Sequence, residues 1–253
     1  MMNTGLDTGC HIIENQKKGA VMNKFNKIFE KLAKVNDRSI VWNQFLDYCI
    51  NINLLNAKGQ HYDFKGNEEH YAEMLGEWLN QLSTDLETEP YSDRLGMFYE
   101  ELVTSHVKSK NLGQFYTPSE VTMLMNGLTV DENSSGMVND CACGSARILL
   151  SAHVKSKGNL ICIGQDLDEV SCKMAVLNFW SHGVRGSILQ QNSLSLEWYK
   201  AWRVNNYLYH GLPIPHIEQV NEKEAYQFIG VKTNEIKPVE INKTQETVQS
   251  TLW

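Results

Sequence analysis

The residues best equipped for chemistry lie in three short segments of the 253-residue chain. The first is residues 140–147, D-C-A-C-G-S-A-R, which follows the short run G-M-V-N from Gly136. In open parallel sheets, ligands sit beyond the carboxyl ends of the strands. A turn of small residues there lets backbone N–H groups approach a bound molecule. Gly144 supplies conformational freedom, and the N-terminus of the following helix favours a carboxylate. Asp140, at the strand end, can accept from the ammonium of an amino-acid ligand. The second segment, Ile163 to Asp168 (I-G-Q-D-L-D), puts carboxylates at the next strand tip, where an acidic residue binds ribose hydroxyls in dinucleotide-type folds. The competing role for Asp166 or Asp168 is to cap the next helix, and Asp168 is the better cap. The third segment, Gln190-Gln191-Asn192-Ser193, carries polar groups that can reach an adenine edge. Three consecutive strand tips of this kind describe a pocket for an amino acid joined to a nucleoside, the shape of S-adenosylmethionine.

The elements that would position these segments are legible in the apolar spacing. Strands are expected at 136–140, 159–164 and 187–190. One helix is expected through Ile148, Leu149 and Ala152, and another through Val170, Met174, Leu177 and Asn178. Strand, helix, strand, helix, strand with short connections predicts a parallel α/β sheet. Ahead of it, Thr117, Pro118 and Glu120 form a capping box with the favoured proline, and open a helix whose face carries Val121, Leu124, Met125 and Leu128. Further upstream, four amphipathic stripes predict four helices: Phe25, Ile28, Phe29 and Leu32; Trp42, Phe45, Leu46 and Cys49; Tyr71, Met74, Leu75, Trp78 and Leu82; and Leu95, Phe98, Tyr99 and Leu102. Such stripes are core seams, so this region reads as a helical bundle or cap. The division expected is a disordered leader over 1–21, a helical domain over 22–112, the α/β domain over 113–212 and a polar tail over 213–253. Met22 is a candidate native start.

Hydrophobic content of 42% and charged content of 21% are those of a soluble globular protein, and no run is long enough to span a bilayer. The six cysteines form no C-x-x-C pair, so they read as free thiols of a cytoplasmic protein, and Cys141 and Cys143 are badly spaced for zinc. A net charge of −7 argues against broad affinity for nucleic acid. Lys24, Lys27, Lys31, Lys34 and Arg38 recur at helical spacing, which reads as a solvated face rather than a DNA contact.

Residues 113–118 (G-Q-F-Y-T-P), 140–147 and 164–168 (G-Q-D-L-D) resemble the modification subunits of type I restriction systems and related adenine-N6 DNA methylases. So do 94–102 (R-L-G-M-F-Y-E-E-L) and 178–183 (N-F-W-S-H-G), and the five segments occur in the family's order over roughly residues 92–195. The resemblance implies a partial Rossmann-like sheet of the class I S-adenosylmethionine-dependent methyltransferases, S-adenosylmethionine as cofactor and DNA adenine as methyl acceptor. It implies that Gln114, Phe115, Tyr116, Thr117, Pro118 and Ser119 close over the cofactor. Ala142, Cys143 and Gly144 would offer backbone to its methionine part, Asp166 would hold the ribose, and Leu167 would pack on the adenine. Asn192 stands where the family usually has an Asp that accepts from the adenine amino group. Cys141 replaces a usual Pro, and Ala146 a common Gly.

The family holds its flipped target base with Asn or Asp followed by Pro-Pro and an aromatic residue, and the 253 residues contain no Pro-Pro. Residues 205–207 (N-N-Y) lie at a suitable distance but lack the prolines, and 212–216 (L-P-I-P-H) have prolines with no amide or carboxylate ahead of them; both read as loops, with Trp198 and Trp202 covering the sheet edge. The expectation is a cofactor-binding half that needs a protein partner, or a second copy, to cover the open sheet edge and supply catalysis and DNA recognition. The alternative is an inactive cofactor-binding regulator or decoy.

Overall fold

The structure, a computed structural model, describes residues 24–55, 64–103, 117, 119–208 and 213–228. The expected leader, the segment 114–116, Pro118 and the chain after 228 lie outside the described residues. Four helices come first: α1 (Lys24–Ala33), α2 (Arg38–Ile52), α3 (Glu68–Asp85) and α4 (Arg94–Leu102). The four apolar stripes are their inner faces. Phe25 stacks on Phe98 at 4.3 Å between ring centroids, and Trp42 meets Phe25, Phe29, Phe45 and Tyr99. Asp37 opens α2 by accepting from the Ser39 N–H at 2.8 Å, and Asp93 opens α4 by accepting from Gly96. Of the basic residues at this spacing, Lys24 meets Glu73 and Glu77 on α3, Lys31 meets His70, and Arg38 at the start of α2 meets Glu30.

The rest is α/β: α5 (Ser119–Thr129), β1 (Gly136–Asp140), α6 (Arg147–Lys155), β2 (Leu160–Asp166), α7 (Glu169–His182), β3 (Gly186–Gln191), β4 (Trp198–Val204), β5 (Ile217–Val220) and α8 (Glu222–Phe228). The five strands form one sheet in sequence order, β1 and β2 parallel, β2 and β3 parallel, then β4 and β5 antiparallel. The crossovers through α6 and α7 place both helices on one face, where they share a core. That face shares a single hydrophobic core with the four N-terminal helices, from Phe25 and Trp78 to Leu149, Phe179 and Trp202. Buried Lys173 on α7 fastens the two regions, its ammonium 2.7 Å from Asp47 and 2.8 Å from the Asn43 side-chain oxygen on α2. At Gly186 a Cβ would lie 1.9 Å from the Cys162 carbonyl oxygen, so only glycine lets β3 pair with β2 there.

Two sequence expectations are corrected, and the helix after Thr117 adds a finding of its own. Trp198 and Trp202 do not cover the sheet edge, because residues 198–204 are themselves strand β4 between β3 and β5: Trp202 and Val204 are buried, while Lys200 reaches Glu169 on α7 and Arg203 reaches Glu218 on β5. The stretch after 212 is not all tail, because Pro213 and Pro215 lead into β5 and α8, which cover the second face of the sheet with Val220, Ala225 and Tyr226. The apolar stripe of α5 faces solvent. Leu128 is 81% and Leu124 64% exposed, whereas Thr122 and Asn126 are buried, with Asn126 donating to the Ile148 carbonyl at 2.9 Å.

The two sheet edges differ. β5 is clasped by residues 53–55, with bonds of 2.9 and 3.1 Å between Leu55, Ile217 and Asn53. Among the described residues nothing pairs with the outer edge of β1, and Met137 on its second face is 54% exposed.

Asn205 closes the turn after β4 in the left-handed region (φ 55°), donating to the Phe179 and Val184 carbonyls and accepting from the His216 N–H. All of its side-chain polar atoms are engaged in holding the fold. Asn205→Ala is expected to cost about 2–4 kcal/mol by stranding these groups and straining the turn, measured as a fall in the urea midpoint.

Candidate functional site

The three segments singled out by residue type come together at the carboxyl ends of β1, β2 and β3. The turn after β1 is held by its own donors. The Ala142 N–H donates to Asp140 Oδ1 at 3.1 Å, the Cys143 N–H to the Gln165 carbonyl at 2.9 Å, and the Gly144 N–H to Asp166 Oδ2 at 2.9 Å. The three N–H groups assigned by resemblance to a methionine moiety are therefore engaged within the protein. What the turn presents outward is the remaining lone pairs of Asp140 and Asp166. Asp166 Oδ1 also accepts from the Asp168 N–H at 2.9 Å, so this carboxylate locks two successive loops. Asp168 caps α7 through the Ser171 N–H at 2.7 Å, as its position in the sequence indicates.

Gly164 lets the turn sit down on β2, because a Cβ there would meet the Cys143 sulfur at 2.9 Å and Ile188 at 2.7 Å. Burial raises the Asp140 carboxyl above the ordinary aspartate value; the Ala142 N–H opposes this, and the nearby Asp166 charge adds to it. Burial also pushes the Cys143 and Cys172 thiols well up, which disfavours their thiolate forms. Among the described residues no cluster of His, Cys, Asp and Glu is arranged to hold a metal ion, and no helix is long and apolar enough to cross a membrane.

Leu167 stands at the β2 tip with its side chain 55% exposed. Asn192 opens the β3–β4 loop, and its Oδ1 accepts from the Leu194 and Ser195 N–H groups at 3.0 and 3.1 Å, leaving the amide nitrogen for a ligand. The acceptor expected of Asn192 is thus turned into its own loop. The Ser193 hydroxyl donates to the Cys141 carbonyl at 2.7 Å and joins the third tip to the first. Gln191 is buried in an amide ladder, bonded to Gln165, which bonds Asn139, and to the Tyr226 hydroxyl. Gln190 reaches only the Leu167 carbonyl, at 3.5 Å.

Two residues of the family-like 178–183 segment are structural. The buried Asn178 amide donates to Asp93 and to the Ser145 carbonyl, both at 2.8 Å. His182 accepts from the Ser92 N–H through Nε2 at 3.3 Å and lies 2.9 Å from the Asn178 carbonyl through Nδ1; burial holds its pKa low. Arg147 donates through Nη1 to the Thr117 carbonyl at 2.9 Å, which places Thr117 beside the start of α6. Asp93 carries this arrangement from the helical side. Residue type alone did not single it out, since its only signature is a helix cap ahead of R-L-G. A cavity of about 720 Å³ lies against it, lined by Tyr91, Asp93, Met97, Asn126, Arg147 and Lys155. It does not include the strand-tip residues, and its lining cations are satisfied within the protein: Arg147 on Asp93, Arg94 on Asp85 and Lys155 on the Asn126 carbonyl.

The family model for N-6 DNA methylases matches residues 91–210, a little under half of the chain, and takes in Asp93, the three strand tips and β4. This stretch belongs to the N-6 DNA methylase family. The methylase segment is 31% identical over 124 residues to the methylase subunit of the type I restriction enzyme MjaVIII of Methanocaldococcus jannaschii. The aligned part is 48% of this chain and 21% of that protein, so the chain spans about a fifth of the relative's length. No solved structure matches the chain.

Within the methylase segment, Ala146 is buried at φ 70°, a left-handed conformation that costs a residue with a Cβ roughly 1–2 kcal/mol. Ala146→Gly is therefore expected to stabilise the protein by about 1 kcal/mol, which for this size raises Tm by about 2–4 °C in calorimetry.

Proposed function

We propose that the strand tips bind S-adenosylmethionine on a Rossmann-like methyltransferase sheet, for transfer of its methyl group to adenine N6 in DNA. The observation that carries this reading is the pair of carboxylates, Asp140 and Asp166, aimed at one glycine turn within a segment of the N-6 DNA methylase family. The residues present suit such a molecule. Two neighbouring carboxylates, one with its pKa raised, favour a cation such as the methionine ammonium. The α6 N-terminus favours the carboxylate beside it, Asp166 retains lone pairs for ribose hydroxyls, and exposed Leu167 offers an apolar surface to adenine. Thr117, held by Arg147, lies beside the start of α6. When bound, S-adenosylmethionine supplies an electrophilic methyl group; the residues of this chain bind and orient it. The acceptor that holds the target base and the DNA-reading surface come from outside the described residues. The edge of β1 left unpaired among the described residues, exposed Met137 and the apolar stripe of α5 support a protein partner, or further polypeptide, covering that side. A second reading, a cofactor-binding regulator without transfer, is favoured by the structural employment of Asn205 and the absence of Pro-Pro in the sequence.

Calorimetric titration with S-adenosylmethionine tests the site. Asp166→Ala is expected to weaken binding by about 10–100-fold, the loss of charged hydrogen bonds worth roughly 1.5–3 kcal/mol; equal affinity for both proteins would falsify the placement. Transfer of labelled methyl to DNA adenine, with and without candidate partner subunits, separates enzyme from regulator.

A pH test bears on Asp140. A carboxyl with a raised folded pKa is destabilising once ionised, so its penalty is absent at low pH and appears as pH rises through the folded value. Asp140→Asn, which keeps the Ala142 bond, is expected to raise the ligand-free Tm at neutral pH and to leave it unchanged below the ordinary aspartate range. The same change is expected to weaken S-adenosylmethionine binding by about tenfold.

A further inference from the structure

Asp93 does far more than a helix cap requires. Asp37 and Asp168 cap α2 and α7 through single backbone N–H groups, whereas the Asp93 side chain is buried and receives donors from four residues. Its Oδ1 accepts from the Gly96 N–H at 2.9 Å and from Asn178 Nδ2 at 2.8 Å. Its Oδ2 accepts from the Ser145 hydroxyl at 2.5 Å and from Arg147 Nε and Nη2, both at 3.0 Å. The two oxygens divide the work: one faces the helices, the other faces the turn after β1. Ser145 and Arg147 flank Ala146, so the left-handed residue is held by a two-point attachment to a single carboxylate oxygen. Gly96 leaves room for this, since a Cβ there would lie 2.3 Å from Asp93 Oδ2 and 2.8 Å from its Cγ. Strained backbone persists only where its surroundings over-determine it. Asp166 and Gln165 grip this turn from the sheet, and Asp93 is its grip from the helical side.

We infer that Asp93 is the positioning residue of the 141–147 turn: it sets the geometry in which Gly144 meets Asp166 and the α6 N-terminus opens toward the strand tips. For cofactor affinity the inference rests on the S-adenosylmethionine reading; for the shape of the turn it stands independently of it. It also explains why R-L-G at 94–96 and the Asn at 178 occur with the turn itself in one segment of family sequence. Each supplies or makes space for one side of the same carboxylate.

Two variants of the full chain test it. Asp93→Asn keeps Oδ1 for Gly96 and Asn178 but turns a donor toward Ser145 and Arg147, sparing the cap while breaking the anchor. Gly96→Ala suits a helix better but displaces the carboxylate. Hydrogen exchange followed by mass spectrometry is read over 141–147, with peptides from α3 and β3 as references, together with the S-adenosylmethionine dissociation constant. In both variants exchange across the turn is expected to accelerate by about tenfold with the references unchanged, and affinity to fall by about tenfold or more. Adding Arg147→Gln to Asp93→Asn pairs the new donor with an acceptor and is expected to recover part of both losses. Wild-type exchange over the turn in both variants, acceleration spread evenly into α3 and β3, or a loosened turn with unchanged affinity would each overturn the inference. If the wild-type protein takes up no S-adenosylmethionine while the turn still loosens selectively, the cofactor reading fails and the anchor stands.

Discussion

A carboxylate removed from water is costly unless its oxygens find donors, and this fold sets one such group, Asp93, and a half-buried one, Asp166, on opposite sides of one short turn. Asp166 reaches the turn from the neighbouring strand tip, Asp93 from the N-terminus of a helix in the other half of the molecule. Between them the chain passes through left-handed backbone at Gly144 and Ala146 (φ 53° and 70°), open to the glycine but costly for the alanine. The turn is thus a joint between the helical region and the sheet. The common core running from Phe25 to Trp202 and the buried Lys173 contact keep the two sides in register. Whatever the strand tips bind, the helices help to shape the place.

Much of this was legible in residue order. The helical stripes gave α1 to α4, and alternation of short apolar runs with helices gave β1 to β3. Asp168 was recognisable as a cap because a carboxylate directly before an apolar helix has a local purpose. What escaped the sequence depended on partners far away along the chain. β4 carries Lys200 and Arg203 among aromatic residues, and only the opposing Glu169 and Glu218 make those charges compatible with a sheet. β5 is four residues long and sits behind two prolines, so neither length nor composition announces it. Asp93 looks like an ordinary cap until Ser145, Arg147 and Asn178 are brought to it.

The candidate site shows a related division. Which residues cluster at the strand tips could be read from types and spacing; which of their atoms remain available could not. The N–H groups of Ala142, Cys143 and Gly144 and the Asn192 oxygen are engaged by near neighbours, decisions made by dihedral angles rather than residue identity. The α5 stripe is the complementary case: period and composition were those of a core face, yet the buried side is formed by Thr122 and Asn126. Amphipathic spacing identifies a surface that avoids water without saying what lies against it.

The asymmetry of the sheet has a directional consequence. On the β5 side, residues 53–55 occupy both backbone groups of Ile217 at the start of the strand, and the antiparallel pair β4–β5 separates that margin from the strand tips. Within the described residues the edge left without any strand partner is that of β1, the strand whose last residue is Asp140. A newcomer arriving there would end up adjoining the carboxylate pair, so growth of the sheet and completion of the pocket would be one event. The architecture behaves as a half-socket whose free margin is also its functional rim.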